Sequence, residues 1–215
     1  YRSQETMYVL GALAGKLTKT NRIGYISGQE TASSNSGIHG FMKAVAQACP
    51  QCSVEFAFTN SYDDPATGKE IAKAMISRGI DIIQTAAGRS SQGVVEAAKE
   101  SGSLMLGDNA DFFDQYEKGY MSWVYTNFGA NVSKACKDFK ANTLEGGKHT
   151  YMNLANGGAI VMWDKIDRFV KANPNQAEKV NKAKEYALSI QKQVIDGKIA
   201  VEFNPKTPTT LKPSK

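Results

Sequence analysis

The cysteines are the first place to look for chemistry. Of three, Cys49 and Cys52 form a Cys-x-x-Cys pair and Cys136 stands alone. A redox pair normally opens a helix, whose N-terminal dipole lowers the thiol pKa. This pair instead follows an expected helix (Ile38 to Ala48) and precedes an expected strand (Ser53 to Phe58). That activation is missing. Structural zinc takes four ligands, and the only histidines, His39 and His149, do not stand at ligand spacing. An ordinary loop pair and a local disulfide both remain open. A disulfide would favour an extracytoplasmic setting. No metal and no cofactor is expected.

The adjacent carboxylates Asp63 and Asp64 precede Pro65. Proline suits the first turn of a helix, so capping explains the pair more cheaply than acid–base chemistry. No nucleophile elbow, zinc-protease helix or phosphate-binding glycine loop is present. Nothing among these residues argues for an enzyme, and no catalytic residue is expected.

The elements that must position such residues follow from composition and pattern. The 215 residues are 41% hydrophobic and 22% charged, which suits a folded chain with a sizeable core and excludes disorder or collagen. The net charge of +5 is spread among interleaved acids and bases, such as Glu70, Lys73, Arg78, Glu96, Lys99 and Glu100. That is a solvated surface, not the basic stripe of a nucleic-acid binder. No run of about 18 apolar residues exists to span a membrane. The run Met7 to Leu17 is broken by Gly11, Gly15 and Lys16, and its Gly-x-x-x-Gly spacing marks close helix packing. The chain opens on Tyr1-Arg2-Ser3-Gln4, which reads as a processed chain or a portion of a longer one.

A helix is expected over Glu5–Leu17. Strands then follow at Arg22–Ile26, Ser53–Phe58, Ile80–Ile83 and Leu104–Leu106. Helices Ile38–Ala48, Pro65–Arg78 and Gln92–Ser101 separate them. Strand–helix repeated three times, with a fourth strand, predicts an α/β fold with a doubly wound parallel sheet over residues 22–110. Beyond it a strand is expected at Met121–Tyr125 and a long helix at Asn127–Leu144. Short strands are expected at His149–Leu154 and Ala159–Trp163, a helix at Gln176–Ile195 and a last strand at Ile199–Phe203. The tail from Asn204, with Pro205, Pro208 and Pro213, reads as a loose end.

Open sheets bind ligands beyond the carboxyl ends of their strands. That selects the loops Ser27–Ser36, Thr59–Asp64, Thr85–Ser91 and Gly107–Asp111. There Gln29, Glu30, Asp108, Asn109 and Asp111 are candidates to pair with ligand hydroxyls. Gly88 and Gly93 would allow close backbone approach.

Several segments carry a resemblance: Glu5 to Gly15, Thr18 to Gly28, Ser61-Tyr-Asp-Asp-Pro-Ala-Thr-Gly-Lys-Glu70, Ala86 to Lys99, Asn156-Gly-Gly158 and Ile195 to Ile199. In order and spacing the chain resembles the basic membrane protein family of ABC-transporter substrate-binding lipoproteins, which includes purine nucleoside receptors. The resemblance implies a type I periplasmic-binding-protein fold, with two α/β lobes, a three-stranded hinge and ligand in the cleft. Residues 1–115 would be the second lobe, entered by the helix over 5–17. Residues 116–203 would be the hinge return and the C-terminal part of the first lobe, and residues 204–215 the tail. Family members carry a further N-terminal lobe segment, so the chain reads as a C-terminal portion.

The implied function is the extracytoplasmic solute-binding component of an ABC importer. Its partners would be a small polar ligand (nucleoside-like first, otherwise a sugar or vitamin), an ABC permease, and a membrane reached only through an upstream lipid anchor. The alternative is a ligand-sensing regulator of the same fold. The stacking aromatic of nucleoside-binding members falls on Gln84. Their lysine and acid before the double glycine fall on Ala155 and Asn156, and the acid after the fourth strand on Asn109 or Asp111. Stacking would then come from Phe112, Phe113, Tyr125 or Phe128. The candidate ligand set is Gln29, Glu30, Gln84, Gly88, Arg89, Asp108, Asn109, Asp111, Asn127 and Asn156.

Overall fold

The computed structural model describes residues 1–147, 149 and 151–213. Its centre is a six-stranded sheet in the order β2-β1-β3-β4-β5-β6. The strands are β1 (Arg22–Ser27), β2 (Ser53–Phe58), β3 (Ile82–Ala86), β4 (Leu104–Asp108), β5 (Tyr120–Thr126) and β6 (Ala159–Val161). The first five run parallel, and β6 is antiparallel to β5. β1 and β3 carry Ile23, Ile26, Ile82 and Ile83 wholly inside, as parallel strands covered on both faces require.

Helix α1 (Ser3–Leu17) buries every residue except Lys16. It packs on α2 (Ala32–Ala48) at a distance only glycine permits. A Cβ on Gly11 would stand 2.3 Å from the Phe41 carbonyl oxygen, and one on Gly40 2.4 Å from that of Gln4. This is the close packing the glycine spacing predicts. α3 (Pro65–Ser77) and α4 (Ser91–Ser101) pack together, with Asp64 capping α3 by accepting from the Thr67 amide at 3.0 Å. Capping is thus the role of Asp64, and Asp63 pairs with Arg89 at 3.0 Å. Cys49 and Cys52 are joined in a disulfide between α2 and β2, and both are buried.

The second half departs from expectation. Residues 151–154 form no strand, and Lys148 and Thr150, within or beside the strand expected at 149–154, lie outside the described residues. Residues 199–203 form none either, because they pass over helices instead of lying beside a strand; Val201 packs against Tyr8, Ala12 and Ala44. α5 (Phe128–Lys140) ends before Leu144. An unforeseen helix, α6 (Trp163–Ala172), starts where a strand was expected to end, because Ile166 and Phe169 point one helical turn inward. α7 (Ala177–Ile195) lies on α1, where the Lys179 Nζ donates to the Leu17 carbonyl at 2.8 Å. Trp163 Nε1 donates to Gln191 Oε1 at 2.9 Å, tying α6 to α7.

β5 continues the sheet beside β4, and α6 and α7 share its core. Of the seven α-helices described, only α5 buries none of its residues. Beyond α7, Leu211 forms a two-hydrogen-bond antiparallel bridge to Val54 on the outer edge of β2. Among the described residues no helix is long and apolar enough to cross a membrane.

Candidate functional site

The carboxyl ends of β1, β3, β4 and β5 meet at one edge of the sheet, and a cavity of about 210 Å³ opens there. The strands supply Tyr25, Ser27, Ala86, Asp108 and Thr126, with Asn109 just beyond β4. The surrounding walls are Tyr1 and Ser3 at the start of α1, Thr31, Ser33 and Ser34 in the first turn of α2, Tyr62 after β2, and Phe128 opening α5. A reciprocal capping box fixes that turn of α2. The Ser34 amide donates to Thr31 Oγ1 at 3.1 Å, and the Thr31 amide to Ser34 Oγ at 2.9 Å.

Tyr62 is seated by two glycines. A Cβ on Gly28 would lie 2.2 Å from its ring, and one on Gly88 (φ +57°) 2.9 Å from its carbonyl oxygen. The Arg89 amide donates to that carbonyl at 2.8 Å, and Ser90 Oγ to the Ser61 carbonyl at 3.0 Å. The loops after β2 and β3 are thus laced together, which holds the Tyr62 ring between the cavity and a shallower depression. That depression shares Tyr62, Ala86, Asp108 and Asn109, and adds Gly88, Arg89 and Gln92.

Asp108 is the only charged side chain lining the cavity among the described residues. Asn109 Nδ2 donates to its Oδ1 at 3.0 Å, and no cation pairs with it among the described residues. Burial pushes its carboxyl up to about 7. The nearby phenols follow: burial, then the Asp108 charge, raises Tyr1 to about 12 and Tyr25 well above its ordinary value. Asn109 holds the left-handed conformation (φ +51°) and clamps β4 to β5. Its Oδ1 accepts from the Thr126 amide at 2.8 Å, and its Nδ2 reaches Thr126 Oγ1 at 3.2 Å.

Of the candidate residues, Gly88, Arg89, Asp108 and Asn109 come together around Tyr62. The others are placed elsewhere. Gln84 is fully buried in β3, its Nε2 donating to the Thr85 carbonyl at 3.0 Å. Gln29 is exposed and offers its carbonyl to Ser34 Oγ at 2.7 Å. Glu30 accepts from Asn35 and from Thr207 of the tail. Asp111 accepts from the Phe113 amide at 3.0 Å and pairs with Lys165 at 2.8 Å; although burial acts against it, Lys165 holds its carboxyl below the usual range. Asn127 caps α5, accepting from the Ala130 amide at 3.0 Å. Asn156 folds its own turn, accepting from the Gly158 amide at 2.9 Å.

The strand-end rule selects loops that reach the cavity, among them Thr59–Asp64, which carries Tyr62, but it does not single out Tyr62 and does not reach the α1 wall. The signal that could mark Tyr62 is its place within the Ser61–Glu70 run. Of the four stacking candidates, Phe128 lines the cavity.

Comparison with known proteins shows the family and the fold. A family model described as ABC transporter substrate-binding protein PnrA-like matches residues 1–198. Basic membrane protein B of Borrelia garinii subsp. bavariensis is 26% identical over 208 residues, covering 95% of this chain and 56% of that protein. The chain thus spans about half the length of that relative. A solute-binding protein of an ABC transporter system from Aeropyrum pernix K1 superposes with a TM-score of 0.76 at 20% identity, covering 93% of this chain and 64% of that one. A transcriptional activator of the comK gene from Bacillus halodurans gives 0.66 at 16% identity, covering 80% and 62%. The fold is the type I periplasmic-binding-protein fold. Matched over nearly its whole length, the chain belongs to the PnrA-like family of ABC transporter substrate-binding proteins.

Proposed function

We propose that this chain supplies one wall of the ligand cleft of an extracytoplasmic solute-binding protein that feeds an ABC permease, with a neutral, nucleoside-like solute as ligand. The observation that carries this reading is the lining of the strand-end cavity. It holds hydroxyls and aromatic faces, with Asp108 as its one charged side chain among the described residues. Neutral hydroxyls of a ligand would donate to that carboxylate, and Tyr62 or Phe128 would pack on a ring. A phosphate in the cavity would meet negative charge with no lining cation among the described residues to offset it, since Arg89 lines only the adjoining depression and pairs with Asp63.

The cavity, about 210 Å³, is smaller than pockets that enclose a ligand, about 300–1,000 Å³. This suits one wall of a cleft that a second lobe closes. α5 is the segment that would reach that lobe, since Val132 (63% exposed) and Phe139 (71%) leave an apolar stripe uncovered. The segment 127–158 would be the excursion into the other lobe, with β6 as its return. Solute-bound closure is what a permease would read. An upstream lipid anchor would hold the protein at the membrane.

The test is calorimetric titration with inosine, ribose and inosine 5′-monophosphate. The reading expects heat from the nucleoside and none from the monophosphate at equal concentration. Tighter binding of the monophosphate would overturn it.

A further inference from the structure

We propose that the C-terminal tail is a strap whose latch, Thr207–Glu30–Asn35, positions the first turn of α2 as a wall of the cavity. The tail leaves α7, buries Val201 against α1 and α2, and runs along the start of α2. The Asn204 amide donates to the buried Ser36 Oγ at 3.0 Å, and Asn35 Nδ2 to the Pro205 carbonyl at 3.0 Å. Thr207 Oγ1 then donates to Glu30 Oε1 at 2.6 Å, the same oxygen that Asn35 Nδ2 reaches at 3.2 Å. Past Thr207 the chain buries Pro208 and reaches the Leu211 bridge on the edge of β2.

The contacts divide the turn by face. Thr31, Ser33 and Ser34 line the cavity, whereas Asn35 and Ser36 are buried at 4% and 0% and face the tail. Glu30, at the entry to that turn, lines neither the cavity nor the adjoining depression. The hydrogen bonds from Thr207 and Asn35 hold its carboxyl below the usual range, so it accepts them as the anion. Its role is therefore to anchor the strap, and it acts on a ligand only through the turn that follows it. Glu30, Asn35 and Thr207 are positioning residues.

Hydrogen exchange in the ligand-free protein reads this directly, and only the affinity readout below rests on the cleft reading. In Thr207→Val the amides of residues 33–37 should exchange about fivefold faster, the loss of one solvent-exposed hydrogen bond. Thr207→Ser, which keeps the hydroxyl, should restore wild-type exchange, and amides of β3 and α4 should not change. Glu30→Ala should reproduce the Thr207→Val pattern. Inosine affinity should fall by a similar factor in Thr207→Val and not in Thr207→Ser, at unchanged Tm. Exchange at residues 33–37 that is the same in wild type and Thr207→Val, or equally fast in Val and Ser variants, would overturn the strap. If wild type fails to bind inosine, the ligand reading fails alone, and exchange still decides the latch.

Discussion

Replacing Asp108 with Asn should stabilise the ligand-free protein, and only above acidic pH. The carboxyl sits at the carboxyl end of β4 with an amide donor from Asn109 and no cation among the described residues, and burial lifts its pKa from 3.8 to about 7. A folded-state pKa above the unfolded value means that ionisation opposes folding. Wild type thus loses stability as pH rises from about 4 to about 7, and is level beyond. A shift of about 3 pK units corresponds to about 4 kcal/mol. Water entering the cavity solvates part of the carboxylate, so this is an upper figure. The substituted amide would keep an acceptor for Asn109 Nδ2 without the charge. Urea unfolding at pH 4, 6 and 8 should show Asp108→Asn gaining on wild type by up to about 4 kcal/mol between the extremes. A difference between the two proteins that is constant from pH 4 to pH 8 would refute the reasoning. In the presence of a hydroxyl-bearing solute the advantage should shrink, because the ligand supplies the donors the anion lacks.

Asp64→Ala should lower the urea midpoint with an unchanged slope, by removing the α3 cap; an unchanged midpoint would remove the cap from the account. Gly11→Leu should prevent the close contact of α1 with the Phe41 carbonyl, and a soluble, cooperatively melting variant would contradict that packing. Cys49→Ala with Cys52→Ala should lose about 2 kcal/mol, the loop-closure value for so short a ring, measured in urea without reductant. Tyr62→Ala should leave Tm within a few degrees, since the ring is 46% exposed, but weaken inosine binding about tenfold; unchanged affinity would remove Tyr62 from the site.

What the sequence made legible was local and periodic. The alternation of short apolar strands with helices from Arg22 to Asp108 specified the parallel sheet. Gly11 and Gly15 announced the α1–α2 contact, and Pro65 after Asp64 announced a capped helix. The second half was harder because its signals depend on partners distant in sequence. Ile199 to Phe203 alternates like a strand, yet it crosses helices with no strand alongside, so Val201 serves the α1–α2 surface. Trp163 to Val170 carries a helical stripe that a short apolar run before it masked. The tail's prolines and polar residues look unstructured, but their hydrogen-bond partners lie on α2 and β2.

In the candidate site, the strand-end rule found loops that reach the cavity but not which side chains face inward. Glu30 and Asp111 have the right chemistry and the wrong direction, one turned to Thr207 and the other to Lys165. Tyr25 and Ser3 face the cavity because of the sheet register and the α1 packing, which no single loop motif encodes.

The central claim, that the strand-end cavity is a solute-binding wall, is tested most directly by mapping amide chemical shifts while inosine is added. The account predicts saturable shifts clustered at Ser27, Ser33, Ser34, Tyr62, Asp108 and Asn109, lost in Asp108→Asn. Shifts centred elsewhere, such as the Phe113–Arg168 surface, or no shifts at millimolar inosine, would contradict it.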